Sequence, residues 1–450
     1  MFGYINIIQE YNMEDKLKGR YGFSVAFSMV VGVVIGIGIF FKAKPVLMAS
    51  GLNPKIAVSA WILGGTISIL SGLTAAEIGA AVPETGGIIA WIRRVYGDKV
   101  AFLVGWAQAI IYSPAIIAVI AYYFAFFTTQ FLGVESGLKY MLPLSAGALV
   151  LVFAVNTFTQ KAGGIIQTLA TGAKIIPLAA ITIFGFMSNN NTAGIFYSSP
   201  EAVSTKPPLL LLGMALVPVM FAFDGWIYVG TISGDLKNVT KDLPKSIIFG
   251  LGFITIIYVG LNIGLLKVFS ADELVNQGMF GVAQHLFGNY GAKLIFLGIM
   301  VSSFGGLNGF SLISTRVPYS LAIEGHFPAK DYFSKVEEKS NQPMRSAGLM
   351  FILSLSYLII MFITGNPDVF GDIPVAIFWL FYSMVFLGVI ILRKREPELE
   401  RPYMVPLYPV VPILAILGGV SIGVYAAISN PKYMLISVIA TLSGLLFYKK

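Results

Sequence analysis

The chain contains a succession of apolar runs, each about 20 residues long and almost free of charged side chains. A run of this length crosses the hydrocarbon core of a bilayer as one α-helix. Twelve such runs are residues 21–41, 56–76, 100–131, 140–160, 162–187, 207–234, 246–266, 294–315, 346–365, 373–392, 402–428 and 433–448. They lack the alternating pattern over about ten residues that marks a membrane β-barrel. The sequence therefore predicts an all-α integral membrane protein with twelve transmembrane helices.

The composition excludes most other classes of function. Only 12% of the 450 residues are charged and 56% are hydrophobic, whereas soluble domains average about 25% charged residues. Cysteine is absent and His285 and His326 are the only histidines, so we expect no metal and no cofactor. The net charge of +8 is not gathered in a soluble basic segment that would bind nucleic acid. We expect contact with membrane lipid instead.

The basic residues predict how the chain is oriented. Placing the N-terminus in the cytoplasm puts 21 of the 30 lysines and arginines on that side, and eight, including Lys42 and Lys44, outside. This bias follows the positive-inside rule, so we expect a multi-pass protein of the cell membrane with both termini in the cytoplasm. Residues 1–20 are then a cytoplasmic segment, residues 21–392 carry ten core helices, and residues 393–450 carry the last two.

Two of the apolar runs contain features that interrupt a helix. The first run has Gly32, Gly36 and Gly38 near its middle, and the sixth has Asp224 followed by Gly225. These runs begin two successive groups of five helices, which would insert in opposite orientations, and matching interruptions in inverted halves indicate a transport site. Amides at a half-helix N-terminus bind a carboxylate, and freed carbonyls accept an ammonium group. An α-amino acid carries both groups.

Each interruption also has a structural alternative. Gly36 and Gly38 resemble a small-residue surface on which two membrane helices pack closely. Asp224 could cap the amides of a broken helix without touching a ligand. A carboxylate inside a membrane is nevertheless costly unless it is paired or faces water, so Asp224 is a candidate functional residue.

Lys174 is the second charge inside an apolar run, about twelve residues from its start. This depth is too great for the side chain to reach the membrane surface comfortably, so its ammonium group must meet oxygen ligands. Such a fixed cation can take the place of a bound sodium ion, or it can lose its proton and act as a proton-linked switch. A strut between helices is the structural alternative.

An ordered series of motifs runs along the chain. The motifs are GIGIF at 36–40, AEIG at 76–79 with PETGG at 83–87, FAFDGW at 221–226, FGGLNG at 304–309 and RP at 401–402. This series resembles the amino acid–polyamine–organocation superfamily. It is most similar to the branch that holds bacterial serine/threonine exchangers and the light chains of L-type transporters. The resemblance extends over about residues 20 to 430.

The resemblance implies a fold and a set of site residues. The fold is the LeuT-type five-plus-five inverted repeat, with repeats at about 21–187 and 207–392, broken helices one and six, and two extra C-terminal helices. The implied site residues are Gly36, Ile37 and Gly38 for the substrate carboxylate; Phe221, Ala222, Phe223, Asp224 and Gly225 for the substrate amine; and Lys174, Ser302 and Ser303 for a mimic of the sodium site. Phe221 matches the aromatic gate over the substrate. Lys174 would face carbonyls of the first span and hydroxyls of the eighth.

The chain departs from the family pattern at two points. Ile37 stands where relatives usually carry serine or alanine, which adds bulk beside the substrate carboxylate. The light chains use a cysteine between the third and fourth spans to bind a glycoprotein heavy chain, and this chain has none. A disulfide-linked heavy chain is therefore excluded.

Together these patterns predict a sodium-independent secondary transporter that exchanges neutral L-amino acids by alternating access. A proton-coupled amino acid symporter working through Lys174 is one alternative. A transporter of cationic amino acids or polyamines, with Asp224 as a second anion, is another. The spans show no filter or charged ring of a channel. Asp224 with Lys174 does not form a recognisable enzyme site, so we expect no enzyme activity.

Overall fold

The computed structural model of the chain describes residues 22–82, 87–158, 174–191, 194–197, 204–227, 236–337 and 342–448. Within these ranges the regular structure is helical, with one isolated bridge between Glu337 and Gln342. Sequence predictions for residues 1–20, 83–86, 159–173, 228–234 and 449–450 lie outside the described residues.

The helices follow one another with short connections. They are α1 (Phe23–Val34), α2 (Gly38–Ala49), α3 (Pro54–Ala81), α4 (Ile88–Tyr96), α5 (Asp98–Ala107), a π-helical turn (Gln108–Tyr112), α6 (Ser113–Leu132), α7 (Leu138–Phe158), α8 (Ile175–Met187), α9 (Pro208–Phe223), α10 (Val239–Val268), α11 (Ala271–Ser314), α12 (Arg316–Ile323), α13 (Lys330–Phe333), α14 (Met344–Thr364), α15 (Pro367–Arg395), α16 (Val410–Ser429) and α17 (Pro431–Leu442).

The helical membrane class predicted from the sequence is confirmed. In the described part of the chain, eight helices are long and apolar enough to cross a membrane, or nine if α1 and α2 form one span bent by 54°. Three shorter apolar helices are α8, α9 and α17 with the turn that follows it. The twelve spans and the inverted repeat stay predictions.

The surface of these helices is apolar where a soluble protein would be polar. Large side chains such as Ile176, Ile256 and Ile363 are exposed, while Trp61 and Trp379 are fully buried in the interior. Exposed apolar surface of this extent marks contact with an apolar environment. The outer faces of the helices therefore suit lipid, and the core lies between them.

The prediction that Lys42 lies in an outside loop is wrong. The first run stops at Phe41, but α2 starts only at Gly38 and continues to Ala49, so Lys42 lies within the helix and is fully buried. Two carboxylates of α15 compensate its charge. For the same reason α15 begins at Pro367, ahead of the run predicted at 373–392.

Three other helix boundaries differ from the apolar runs. Helix α11 begins at Ala271, where Ser270 and Glu273 form a capping box, and it departs from helical geometry at Gly278 and Gly288. Helix α16 begins at Val410, after the proline-containing stretch 402–409, which lacks helical structure. Helix α15 extends to Arg393 and beyond, since Arg393 donates to Glu77 of α3 from two nitrogens at 2.7 and 2.6 Å.

Candidate functional site

The first interruption separates α1 from α2. Residues 35–37 are not helical, and the Gly36 N–H donates to the carbonyl oxygen of Val34 at 2.7 Å. Helix α2 then starts at Gly38, so the positive end of its dipole lies at the break. A Cβ atom at Gly36 would meet only the Val34 oxygen, at 3.9 Å, so the backbone here is open to a ligand.

The second interruption follows Phe223 at the end of α9. Asp224 has extended backbone geometry and Gly225 has φ 103°, a left-handed value that favours glycine. A Cβ atom at Gly225 would lie 3.0 Å from Cγ1 of Val33 in α1. The two interruptions are therefore in direct contact.

Tyr258 of α10 joins the two interrupted segments. Its hydroxyl lies 3.2 Å from the carbonyl oxygens of both Val34 and Ala222, and it donates to them. The Tyr258 ring is fully buried against Trp61 and Phe223. These contacts hold the carbonyl ends of α1 and α9 together.

The Asp224 carboxylate is bound by two tyrosines that the sequence did not single out. Tyr112 donates to Oδ2 of Asp224, and Tyr382 of α15 donates to Oδ1 at 3.3 Å. Tyr112 is the last residue of the π-helical turn, a geometry that often occurs at functional sites. A tyrosine in an apolar run carries no signal of its own, so only the position of the turn identifies it.

Lys174 lies at the N-terminal end of α8 and is buried. Its Nζ donates to the carbonyl oxygen of Gly32 in α1 at 2.5 Å. Ser302 of α11 lines the same cavity, but the Ser303 hydroxyl donates to Ile299 within its own helix at 2.7 Å. An ammonium group thus lies against a carbonyl of the first interrupted span.

A cavity of about 610 Å³ lies between the interrupted helices. The predicted site residues that line it are Gly36, Ile37, Gly38, Lys174, Phe221, Ala222, Asp224, Gly225 and Ser302. Phe223 and Ser303 do not line it, because both are fully buried. Further walls come from Tyr112, Ile116 and Ile120 and from Gly305, Gly306, Gly309 and Phe310 of α11. A mostly apolar wall with a few convergent polar groups is typical of a small-molecule site.

Phe221 closes one end of the cavity. Its ring occupies the space that a Cβ atom would need at Gly38, 3.1 Å away, and at Gly371 of α15, 2.7 Å away. In the opposite direction the cavity extends along α1 to Ser28 and Met29. The cavity is therefore closed toward α2 and continues toward the N-terminal end of α1.

Comparison with known proteins assigns the family. The sequence model of the amino acid permease family matches residues 21–443. The chain belongs to this family. It is therefore a multi-pass membrane protein of an amino acid transporter family and not an enzyme, and the membership predicted from its motifs is confirmed.

Several characterised relatives match over nearly the whole chain. The serine/threonine exchanger SteT of Bacillus subtilis is 37% identical over 438 residues, which cover 97% of each chain. The human b(0,+)-type amino acid transporter 1 is 29% identical over 442 residues, covering 96% of this chain and 88% of the relative. The mouse Asc-type amino acid transporter 1 is 28% identical over 434 residues, covering 95% and 80%. The present sequence has no cysteine with which to form a disulfide to a second chain.

Proposed function

We propose that this amino acid permease is a sodium-independent exchanger of neutral L-amino acids in the cell membrane, working by alternating access. The observation that carries the proposal is the cavity between two interrupted helices that touch each other at Val33 and Gly225. The names of the relatives, which include a serine/threonine exchanger, support the substrate class. Twelve spans in two inverted repeats, with both termini in the cytoplasm, complete the proposed architecture.

The two interruptions suit the two charged groups of an amino acid. The amides at Gly36, Ile37 and Gly38, at the N-terminus of α2, bind the substrate carboxylate. The last carbonyls of α9, around Phe221 and Ala222, lack partners within the helix and accept from the substrate ammonium group. The site thus recognises the part that all α-amino acids share.

The remaining wall favours an uncharged side chain. Ile37, Ile116, Ile120 and Phe310 are apolar. Both oxygens of Asp224 already accept hydrogen bonds, from Tyr112 and Tyr382. A cationic substrate would have to compete with the two tyrosines for that carboxylate, whereas serine or leucine would not.

Lys174 supports sodium independence and exchange. Its ammonium group supplies a permanent positive charge beside the Gly32 carbonyl, where the resemblance places a sodium ion in sodium-driven relatives. A lysine that stays protonated provides no ion gradient to drive uptake, so return of the empty carrier is unfavourable and exchange follows. If Lys174 releases its proton during the cycle, the protein is instead a proton-coupled symporter.

Uptake of radiolabelled serine, leucine and arginine into proteoliposomes loaded with unlabelled amino acid tests the proposed class. We expect uptake of serine or leucine that is unchanged when external sodium is replaced by choline. Uptake of arginine alone would instead assign a cationic substrate, and its loss in Asp224→Asn would locate the contact. A requirement for sodium would contradict the role proposed for Lys174.

A further inference from the structure

A buried ion cluster lies on the α2 side of the cavity. The Nζ atom of Lys42 is 2.7 Å from Oδ1 of Asp372 and 2.8 Å from Oδ1 of Asp368, and the Lys42 side chain is fully inaccessible. The Tyr123 hydroxyl of α6 donates to Asp368 at 3.0 Å. The cluster therefore joins α2, α6 and α15 through charged and polar groups.

The cluster lies directly beyond the ring that closes the cavity. Lys42 Nζ is 4.7 Å from the centroid of the Phe221 ring. Phe41 stacks on Tyr123 with centroids 3.6 Å apart and approaches Phe221 at 5.5 Å. Phe221 in turn fills the space above Gly371, which lies between the two acidic residues in sequence. Ions and rings form one continuous barrier here.

Helix α2 links this barrier to the proposed substrate site. Gly38 stands at the N-terminus of α2, where the substrate carboxylate is proposed to bind, and Lys42 follows four residues later. Residues four apart lie on the same face of a helix. A movement of the α2 N-terminus therefore also moves the Lys42 ammonium group relative to α15.

We propose that Lys42, Asp368 and Asp372 form a latch that keeps the transport cavity closed on the α2 side, with Lys42 as the positioning residue that holds α2 against α15. This inference rests on the proposed transport function. Buried charges are stable only while they remain paired, so the latch holds when dry. Once water enters, the same ions are solvated and their attraction weakens, which gives the barrier two distinct states.

The absence of cysteine from the sequence allows a direct test. A single cysteine is introduced at Ile120, which lines the cavity one helical turn from Tyr123. Its reaction rate with a membrane-impermeant methanethiosulfonate is measured in whole cells and in inside-out vesicles. Lys139→Cys is the control, since Lys139 is exposed just after the end of α6 and identifies the side to be scored. Lys42→Met and Lys42→Arg are then compared in the Ile120→Cys background.

We expect Lys42→Met to raise the labelling rate of Ile120→Cys about tenfold, while Lys42→Arg, which keeps the charge, leaves it closer to the parent. The rate of Lys139→Cys should not change. Equal rates in the parent and in Lys42→Met would overturn the latch.

A second variant covers the case in which Lys42→Met does not reach the membrane. The combined Lys42→Met, Asp368→Asn and Asp372→Asn variant leaves no unpaired buried charge, so folding is expected to tolerate it. It too should label faster, and an unchanged rate would overturn the proposal. Because labelling needs no substrate, faster labelling without any amino acid uptake would contradict the proposed function and leave the latch standing.

Discussion

At the residue scale, Lys174 makes the contact on which the proposed coupling depends. Its ammonium group donates to the Gly32 carbonyl in α1. We expect Lys174→Met to lower amino acid uptake by about tenfold or more, the effect of losing a coupling of about 1–3 kcal/mol between α8 and α1. Uptake into amino acid-loaded proteoliposomes, at equal protein incorporation, measures the loss.

Lys267 offers a matched control for that substitution. Its Nζ also donates to a backbone carbonyl, that of Phe186, but it lies at the C-terminal end of α10 and does not line the cavity. Lys267→Met should therefore retain uptake near that of the parent. Equal losses in the two variants would show that Lys174 has only a structural role.

Ile37 is expected to set the size of the substrate. It lines the cavity between the two glycines of the first interruption, and its side chain occupies space that serine would leave free. Ile37→Ser should raise the ratio of leucine to serine uptake by about tenfold, the effect of a changed apolar contact in a binding pocket. Competition of each amino acid against labelled substrate measures the ratio. Ile37→Leu, which keeps the volume, is the control, and an unchanged ratio in Ile37→Ser would refute the size argument.

Single residues differ in how well the sequence announces them. Asp224 and Lys174 were identified because a charge inside an apolar run is costly and needs a reason. Tyr112 and Tyr382 were not, because a tyrosine is common in such a run and its role depends on where its hydroxyl points. Lys42 was misplaced because its partners Asp368 and Asp372 lie more than 300 residues away in sequence.

At the element scale, close approach of helices depends on paired glycines. A Cβ atom at Gly185 of α8 would lie 3.0 Å from backbone atoms of Gly264 in α10. Gly185→Val should therefore destabilise the protein by about 1–3 kcal/mol, because a backbone contact cannot give way like a side chain. Thermal unfolding of the purified protein in detergent measures the change.

Gly252 provides the control for this prediction. It also lies in α10, but nothing comes within 4 Å of a Cβ atom placed there. Gly252→Val should leave the unfolding midpoint almost unchanged. If Gly185→Val unfolds at the same temperature as the parent, α8 and α10 do not pack as closely as the structure indicates.

The helices themselves were largely predictable, and their ends were not. Apolar runs located the long membrane helices, and the glycines near residue 36 together with Asp224 located the two interruptions. Hydropathy fails at helix ends, because a charged residue ends an apolar run even where a distant partner lets the helix continue. Helices α2 and α15 are the two cases, and each pairs the charge that ended the other's run.

At the scale of the whole molecule, α15 is held by buried ions near both of its ends. Asp368 and Asp372 pair with Lys42 near its N-terminal end, and Arg393 pairs with Glu77 near its C-terminal end. The 29 residues of α15 span about 43 Å at the helical rise of about 1.5 Å per residue. Between the two ion clusters, Tyr382 reaches Asp224 at the cavity. Movement of α15 relative to α2 and α3 would therefore act on the barrier and on the site together.

The central claim is that amino acids cross the membrane through this cavity by exchange. The most direct test compares uptake of labelled serine or leucine into proteoliposomes that are empty and into ones preloaded with the same unlabelled amino acid. We predict uptake only into preloaded vesicles, without dependence on sodium or on a pH gradient. Accumulation in empty vesicles driven by an inside-alkaline pH gradient would contradict exchange and make Lys174 a proton carrier.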